Sequence, residues 1–199
     1  MNDSVKCGIY WKEARKKARW KYIPDTAEAR ARAIKAGAMF FTWASLSAPH
    51  KGNGQPEPVR IGDLPLDFDD KANPARALRD MKAICLIHLP EFFDIDPYEI
   101  KFYCSGSKGF HAVLPKEMFG LEKGDPYLPL IYKKIVADWA ARFNLPTIDQ
   151  SLYAMGKGKM FRIENVKRSN GRFKVPLTFE EVQSLSIDDL LNFSKDKRK

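Results

Sequence analysis

Cysteine is scarce in this chain. Cys7, Cys85 and Cys104 are the whole complement, and no two lie close enough to make a Cys-x-x-Cys pair. That spacing argues against a disulfide framework and a zinc ribbon, and it fits a reducing, cytoplasmic interior. No run of about 18 apolar residues occurs, so no transmembrane helix is expected, and no membrane partner. The N-terminus turns polar at once with Asn2, Asp3 and Ser4, so no signal peptide is expected. No stretch repeats internally.

What is present is an ordinary globular mixture, 44% hydrophobic and 30% charged over 199 residues. The length suits one domain with a real core. Residues 1–194 are expected to form that domain, and 195–199 a disordered basic tail. The formal net charge of +9 favours a polyanionic partner, nucleic acid ahead of an anionic surface. Residues 11–22 mix six cations with three aromatics, as a segment facing a nucleic-acid backbone or a solvated surface does.

Helices and strands alternate along the sequence. Thr26 to Gly37 reads as a helix with Thr26 as its N-cap, and Ala38–Ala44 as a buried strand. Residues 47–63 hold three prolines and three glycines and read as a loop. Asn73-Pro74 starts a helix of about 15 residues. Glu99–Cys104 and Phe110–Leu114 read as a hairpin around a glycine-rich turn, and Pro126–Asn144 as the strongest helix. Met160–Ile163 and Phe173–Leu177 read as strands, and Ser186 opens a last short helix with a capping box. The mixture predicts an α+β (mixed α/β) domain.

Three segments carry chemistry. In Leu64-Pro-Leu-Asp-Phe-Asp-Asp70, a strand would turn Asp67 and Asp69 to one face. Two adjacent carboxylates there repel, and a divalent cation is the usual remedy. In Ser105-Gly-Ser-Lys-Gly-Phe-His111, the glycines allow close backbone approach to a ligand, Lys108 offers a charge for phosphate, and His111 can donate a hydrogen bond. Asp149 follows, with a dense basic stretch after it: Lys157, Lys159, Arg162, Lys167, Arg168, Arg172 and Lys174. That stretch reads as a solvated basic face or as a groove for triphosphate and template backbone.

In this order the segments resemble the motifs of the archaeo-eukaryotic primase (AEP) superfamily, the small primase catalytic subunits and primase-polymerases. The matching residues are Leu66-Asp67-Phe68-Asp69, Ser105 to His111, Ile148-Asp149, Phe161-Arg162-Ile163 and Lys174-Val175-Pro176-Leu177, within about residues 60–180. The resemblance implies an RRM-like antiparallel or mixed sheet with flanking helices. It implies two Mg²⁺ or Mn²⁺ ions held by Asp67, Asp69 and Asp149, which would also be the catalytic residues. Ser105, Ser107, Lys108, Gly109, His111 and Arg162 would bind the nucleotide, and Lys167, Arg168 and Lys174 the nucleic acid. The implied activity is template-dependent nucleotidyl transfer, making or extending RNA or DNA primers. Implied partners are single-stranded DNA template and primer, NTP or dNTP, and a helicase or accessory replication subunit, in a prokaryotic, plasmid or viral setting. The chain departs from the pattern at Ser107, where many relatives carry arginine, and it lacks a zinc-binding insertion and a helical accessory domain. Three other readings stay open: an end-joining repair polymerase, for which Pro176 to Glu181 is a similar element, a non-catalytic single-strand-binding module, and a metal-dependent nuclease.

Overall fold

Leu64, Leu66 and Phe68 alternate with Pro65, Asp67 and Asp69, and a strand must place the two sets on opposite faces. The computed structural model of the chain, which describes residues 5–11, 18–52, 54–156 and 158–198, shows that separation. Lys12 to Lys17 of the basic N-terminal segment, Lys157 and Lys199 lie outside the described residues.

In chain order the strands are β1 (Val5–Trp11), β2 (Ala18–Pro24), β3 (Ala38–Thr42), β4 (Ser45–Leu46), β5 (Arg60–Ile61), β6 (Leu64–Asp69), β7 (Lys101–Cys104), β8 (Gly109–Leu114), β9 (Met160–Arg162) and β10 (Val175–Leu177). The helices are α1 (Ala27–Lys35), α2 (Pro74–Lys82), α3 (Leu89–Phe93), α4 (Leu128–Arg142), α5 (Phe179–Ser184) and α6 (Ile187–Phe193). The strands form two antiparallel sheets, as the mixed α/β reading with flanking helices expects. One runs β5-β4-β1-β3-β9 with β2 also on β1, and the other runs β10-β7-β8-β6. The short β9 pairs with β3, placing Arg162 opposite Phe40.

The second sheet buries one face. Leu64, Leu66, Phe68, Phe102, Phe110 and Ala112 are essentially inaccessible and share one core with Ala77, Leu78 and Met81 of α2 and with Val136 and Trp139 of α4. Burial on this scale, about 25 cal/mol per Å² of apolar surface, is the main stabilising term. The opposite face, with Asp67, Asp69 and His111, looks toward the first sheet, since the His111 ring lies 4.5 Å from that of Phe161 on β9.

The helix begun at Pro74 runs further than its spacing suggests. A π-helical stretch, Ala83–His88, joins α2 to α3, and the Leu89 N–H donates to the Ile84 carbonyl. The wider turn carries the chain through Pro90, which has no N–H to continue an α-ladder. Near the C-terminal end Arg198 makes defined contacts. Its guanidinium pairs with both carboxylate oxygens of Glu181 and lies 4.0 Å from the Phe193 ring centre. The proline- and glycine-rich loop also holds more order than its composition suggests. Buried Arg60 donates to Glu57 Oε2 at 2.6 Å, to the Gly156 carbonyl at 2.9 Å and to the Pro126 carbonyl, pinning three loops together.

Candidate active site

The site grows from the pairing of β6 with β8, which sets Asp67 opposite His111 and Asp69 opposite Gly109. Gly109 is needed at that place. A Cβ there would sit 2.0 Å from the Phe68 carbonyl and 2.5 Å from Asp69 Oδ1. The loop folds on itself, with the Ser105 N–H donating to the Gly109 carbonyl at 3.0 Å and the Gly109 N–H to Ser105 Oγ at 3.3 Å. Gly106 takes φ +78°, and a Cβ on it would meet the Phe173 carbonyl at 2.3 Å. Arg168 Nη1 holds the same loop from outside by donating to the Ser105 carbonyl at 2.6 Å.

This loop delivers Lys108, whose ammonium lies 2.6 Å from Asp69 Oδ2. Asp149 arrives from the other side of β6. Its N–H donates to the Asp67 carbonyl at 2.8 Å, and the Asp69 N–H donates to the Thr147 carbonyl at 2.9 Å. With the Phe68–Ile148 bridge, these bonds line the otherwise open edge of β6. The Asp149 carboxylate caps the next turn, accepting from Ser151 N at 2.8 Å and Ser151 Oγ at 3.0 Å.

A cleft of about 180 Å³ opens between the sheets here, with Asp67, Asp69, Lys108, His111, Arg162 and Arg168 on its walls. Ser105 lines it too, whereas Ser107 is exposed and does not. Burial and then the charges of Asp69 and Asp149 push the Asp67 carboxyl up to about 7. His111 is driven well below its usual range by burial and by Lys174, Arg162 and Arg168, so its ring is neutral. Burial lowers Arg162 to about 10, and its guanidinium lies 4.3 Å from the Phe40 ring centre.

Two residues expected to follow template phosphates sit differently. Lys167 is exposed. Lys174 is buried, its Nζ 4.0 Å from the Tyr103 ring centre, 3.9 Å from that of Phe161, and donating to the Arg162 carbonyl at 3.3 Å. That burial lowers it to about 7. A lysine so enclosed cannot reach a strand on the surface. It lines a second, larger space of about 660 Å³ with Tyr103, Glu164 and Trp43, which shares Phe161 and Arg162 with the smaller one. The smaller space is where carboxylates and cations meet. Phe40, Phe161 and Thr147 were not singled out as site residues from sequence, because the first two act through packing between the sheets and Thr147 through bonds to the β6 edge and to α2.

The donor set suits a hard divalent cation. Asp67 Oδ1 is buried without a hydrogen-bond partner, and the charges of Asp69 and Asp149 add to the burial that raises the proton affinity of Asp67. Among the described residues, no three His, Cys, Asp or Glu side chains are gathered as a finished coordination shell. The fit therefore rests on that orphaned oxygen and on the donor chemistry.

No protein-family model matches the chain, and no curated protein matches it. Among solved structures it is similar to the polymerase domain of Mycobacterium tuberculosis ligase D, solved in complex with DNA. The TM-score is 0.55 at 14% identity, covering 98% of this chain and 83% of that one. The AEP domain of the cyanophage S-2L primase-polymerase aligns with TM-score 0.48 at 12% identity, covering 97% of this chain and 89% of that one. The chain therefore has the fold seen in the ligase D polymerase domain, mixed α/β with antiparallel sheets and flanking helices.

Proposed function

We propose that the chain is a template-dependent nucleotidyltransferase, a DNA primase or primase-polymerase of the AEP superfamily acting on single-stranded DNA. One observation carries this reading. The Asp67–Asp69 pair, with an unsatisfied buried oxygen, faces Lys108, Arg162 and Arg168 across a cleft between two sheets.

Asp67, Asp69 and Asp149 would hold Mg²⁺ or Mn²⁺. When bound, such ions lower the pKa of an attacking 3′-hydroxyl and offset charge on the leaving pyrophosphate. The chain's own groups do the positioning, which carries most of the rate in phosphoryl transfer. Lys108 is engaged with Asp69 and becomes available to a phosphate once that carboxylate ligates a cation. Arg162 and Arg168 place fixed charge around the triphosphate, and the Ser105–Gly109 loop brings its amides and hydroxyl close to it. Neutral His111 donates an N–H to a phosphate oxygen and is not a general base. The aromatic wall of Phe40 and Phe161 keeps Arg162 and His111 in place.

The end-joining reading gains nothing from Glu181, which closes the capping box of α5 with Thr178 and pairs with Arg198. Labelled-nucleotide incorporation with Mn²⁺ separates the alternatives. Product on bare single-stranded template identifies a primase, and product from a primer alone identifies a polymerase. Dependence on a 5′-phosphate across a gap identifies the repair enzyme. Single-strand binding without product under any condition identifies a binding module and overturns the proposal.

A further inference from the structure

Asp80 is a carboxylate that the chemistry above does not use. It lies on α2 behind β6 and is 2% exposed, a costly place for a charge unless its oxygens are satisfied. They are. Oδ2 accepts from Thr147 N at 3.2 Å and Thr147 Oγ1 at 2.9 Å, and Oδ1 accepts from Arg79 Nη2 at 2.8 Å and Arg79 Nε at 3.2 Å. Thr147 is buried in turn, and its carbonyl accepts the Asp69 N–H at 2.9 Å. Two residues on, the Asp149 N–H donates to the Asp67 carbonyl at 2.8 Å. A continuous set of hydrogen bonds thus runs from the helix behind the sheet to the backbone of Asp67, Asp69 and Asp149. β6 is the edge strand of its sheet, so the segment carrying Thr147 and Asp149 is what covers that edge.

We propose that Asp80 and Thr147 are positioning residues for the candidate metal centre. They touch no substrate. They fix the segment that carries Asp149 against β6, and so set how well the three carboxylates converge on a divalent cation. The proposal rests on the metal reading given above. Groups that orient ligands from behind typically change metal affinity or activity by roughly 10- to 100-fold when removed. Arg79 belongs to the same set only as the partner that neutralises Asp80; its side chain is largely exposed.

The test uses the full chain and two readouts. Hydrogen exchange on the metal-free protein reports the Asp69 and Asp149 amides, and a Mn²⁺ titration followed by the electron paramagnetic resonance of the free ion reports affinity. Thr147→Val removes only the hydroxyl donor at nearly constant volume, Thr147→Ser retains it, and Asp80→Asn replaces one acceptor by a donor. The proposal expects faster exchange at Asp149 and roughly 10-fold or greater loss of Mn²⁺ affinity in Thr147→Val and Asp80→Asn, with Thr147→Ser close to wild type. Thr147→Val with wild-type exchange and wild-type Mn²⁺ affinity overturns the proposal alone. So does Thr147→Ser as impaired as Thr147→Val. A wild-type protein that takes up no Mn²⁺ overturns the metal reading and this proposal with it. Should Asp80→Asn fail to fold, the valine and serine pair at Thr147 decides the matter.

Discussion

Asp67 Oδ1 and His111 Nε2 face each other across β6 and β8 at 3.4 Å without forming a hydrogen bond. The contact is not an ion pair, because burial drives Asp67 up to about 7 and His111 well below its usual value. Each group resists charge, and neither satisfies the other. A strand pair that holds two such groups in register stores electrostatic cost where a cation and a phosphate would relieve it.

The metal-free protein should show that cost in its pH dependence. Asp67 binds its proton more tightly folded, at about 7, than at its ordinary 3.8. Its contribution to stability is therefore full below about pH 4 and is lost as pH rises through about 7. Asp67→Asn is expected to melt higher than wild type at pH 8, with the gap closing toward pH 5. The gain is on the order of 1–4 kcal/mol at most. Thermal melts in chelator across that range check this, and parallel curves for the two proteins would contradict it.

Lys108 sits 2.6 Å from Asp69, and its side chain is 43% exposed. Its expected work is on the triphosphate. Lys108→Ala should raise the KM for nucleotide about tenfold while leaving the KM for primer-template unchanged. Steady-state kinetics at two ionic strengths check this, the difference shrinking at the higher one. Equal effects on both substrates would place Lys108 elsewhere.

The two loop glycines are constrained by backbone, not by a flexible neighbour. Gly109→Ala drives a Cβ onto the Phe68 carbonyl, and Gly106→Ala combines a positive φ with a clash against Phe173. Each should cost roughly 2–4 kcal/mol of stability. Urea unfolding measures it; an unchanged midpoint in Gly109→Ala would contradict the β6–β8 register, and one in Gly106→Ala would contradict the packing of the loop on Phe173.

Lys167 and Lys174 make a contrasting pair. Lys167→Ala, at an exposed position, should weaken single-strand binding and flatten the log–log salt dependence by about 0.7. Lys174→Met, at a buried one, should leave the salt slope as it is. Fluorescence anisotropy with a labelled oligonucleotide over a salt series distinguishes them, and a reduced slope in Lys174→Met would contradict its placement away from the bound strand.

Parts of this were legible in the sequence because they obey local rules. Alternation puts Asp67 and Asp69 on one face of β6, the spaced glycines mark a tight functional turn, and Asn73-Pro74 announces α2. Asn73 Oδ1 does accept from the Arg76 N–H as an N-cap should. Other parts were not legible because they depend on distant partners. β9 has three residues and finds β3 from far along the chain, so the two-sheet cleft leaves no periodic trace. Lys174 lies in a run of cations that reads as solvated, yet aromatic rings from β7 and β9 enclose it. Arg60 and Arg198 look like surface charges until distant groups receive them, the Gly156 carbonyl for the first and the Glu181 carboxylate on α5 for the second.

The central claim is that the Asp67–Asp69 face drives metal-dependent nucleotidyl transfer. Its most direct test is Mn²⁺- or Mg²⁺-dependent incorporation of labelled nucleotide on single-stranded DNA, with and without a primer, comparing wild type with the Asp67→Ala/Asp69→Ala double variant. The account predicts product from wild type and a loss of roughly three decades or more in the variant, with single-strand binding intact in both. Equal incorporation by the two proteins, or none by wild type while it still binds the template, would contradict it.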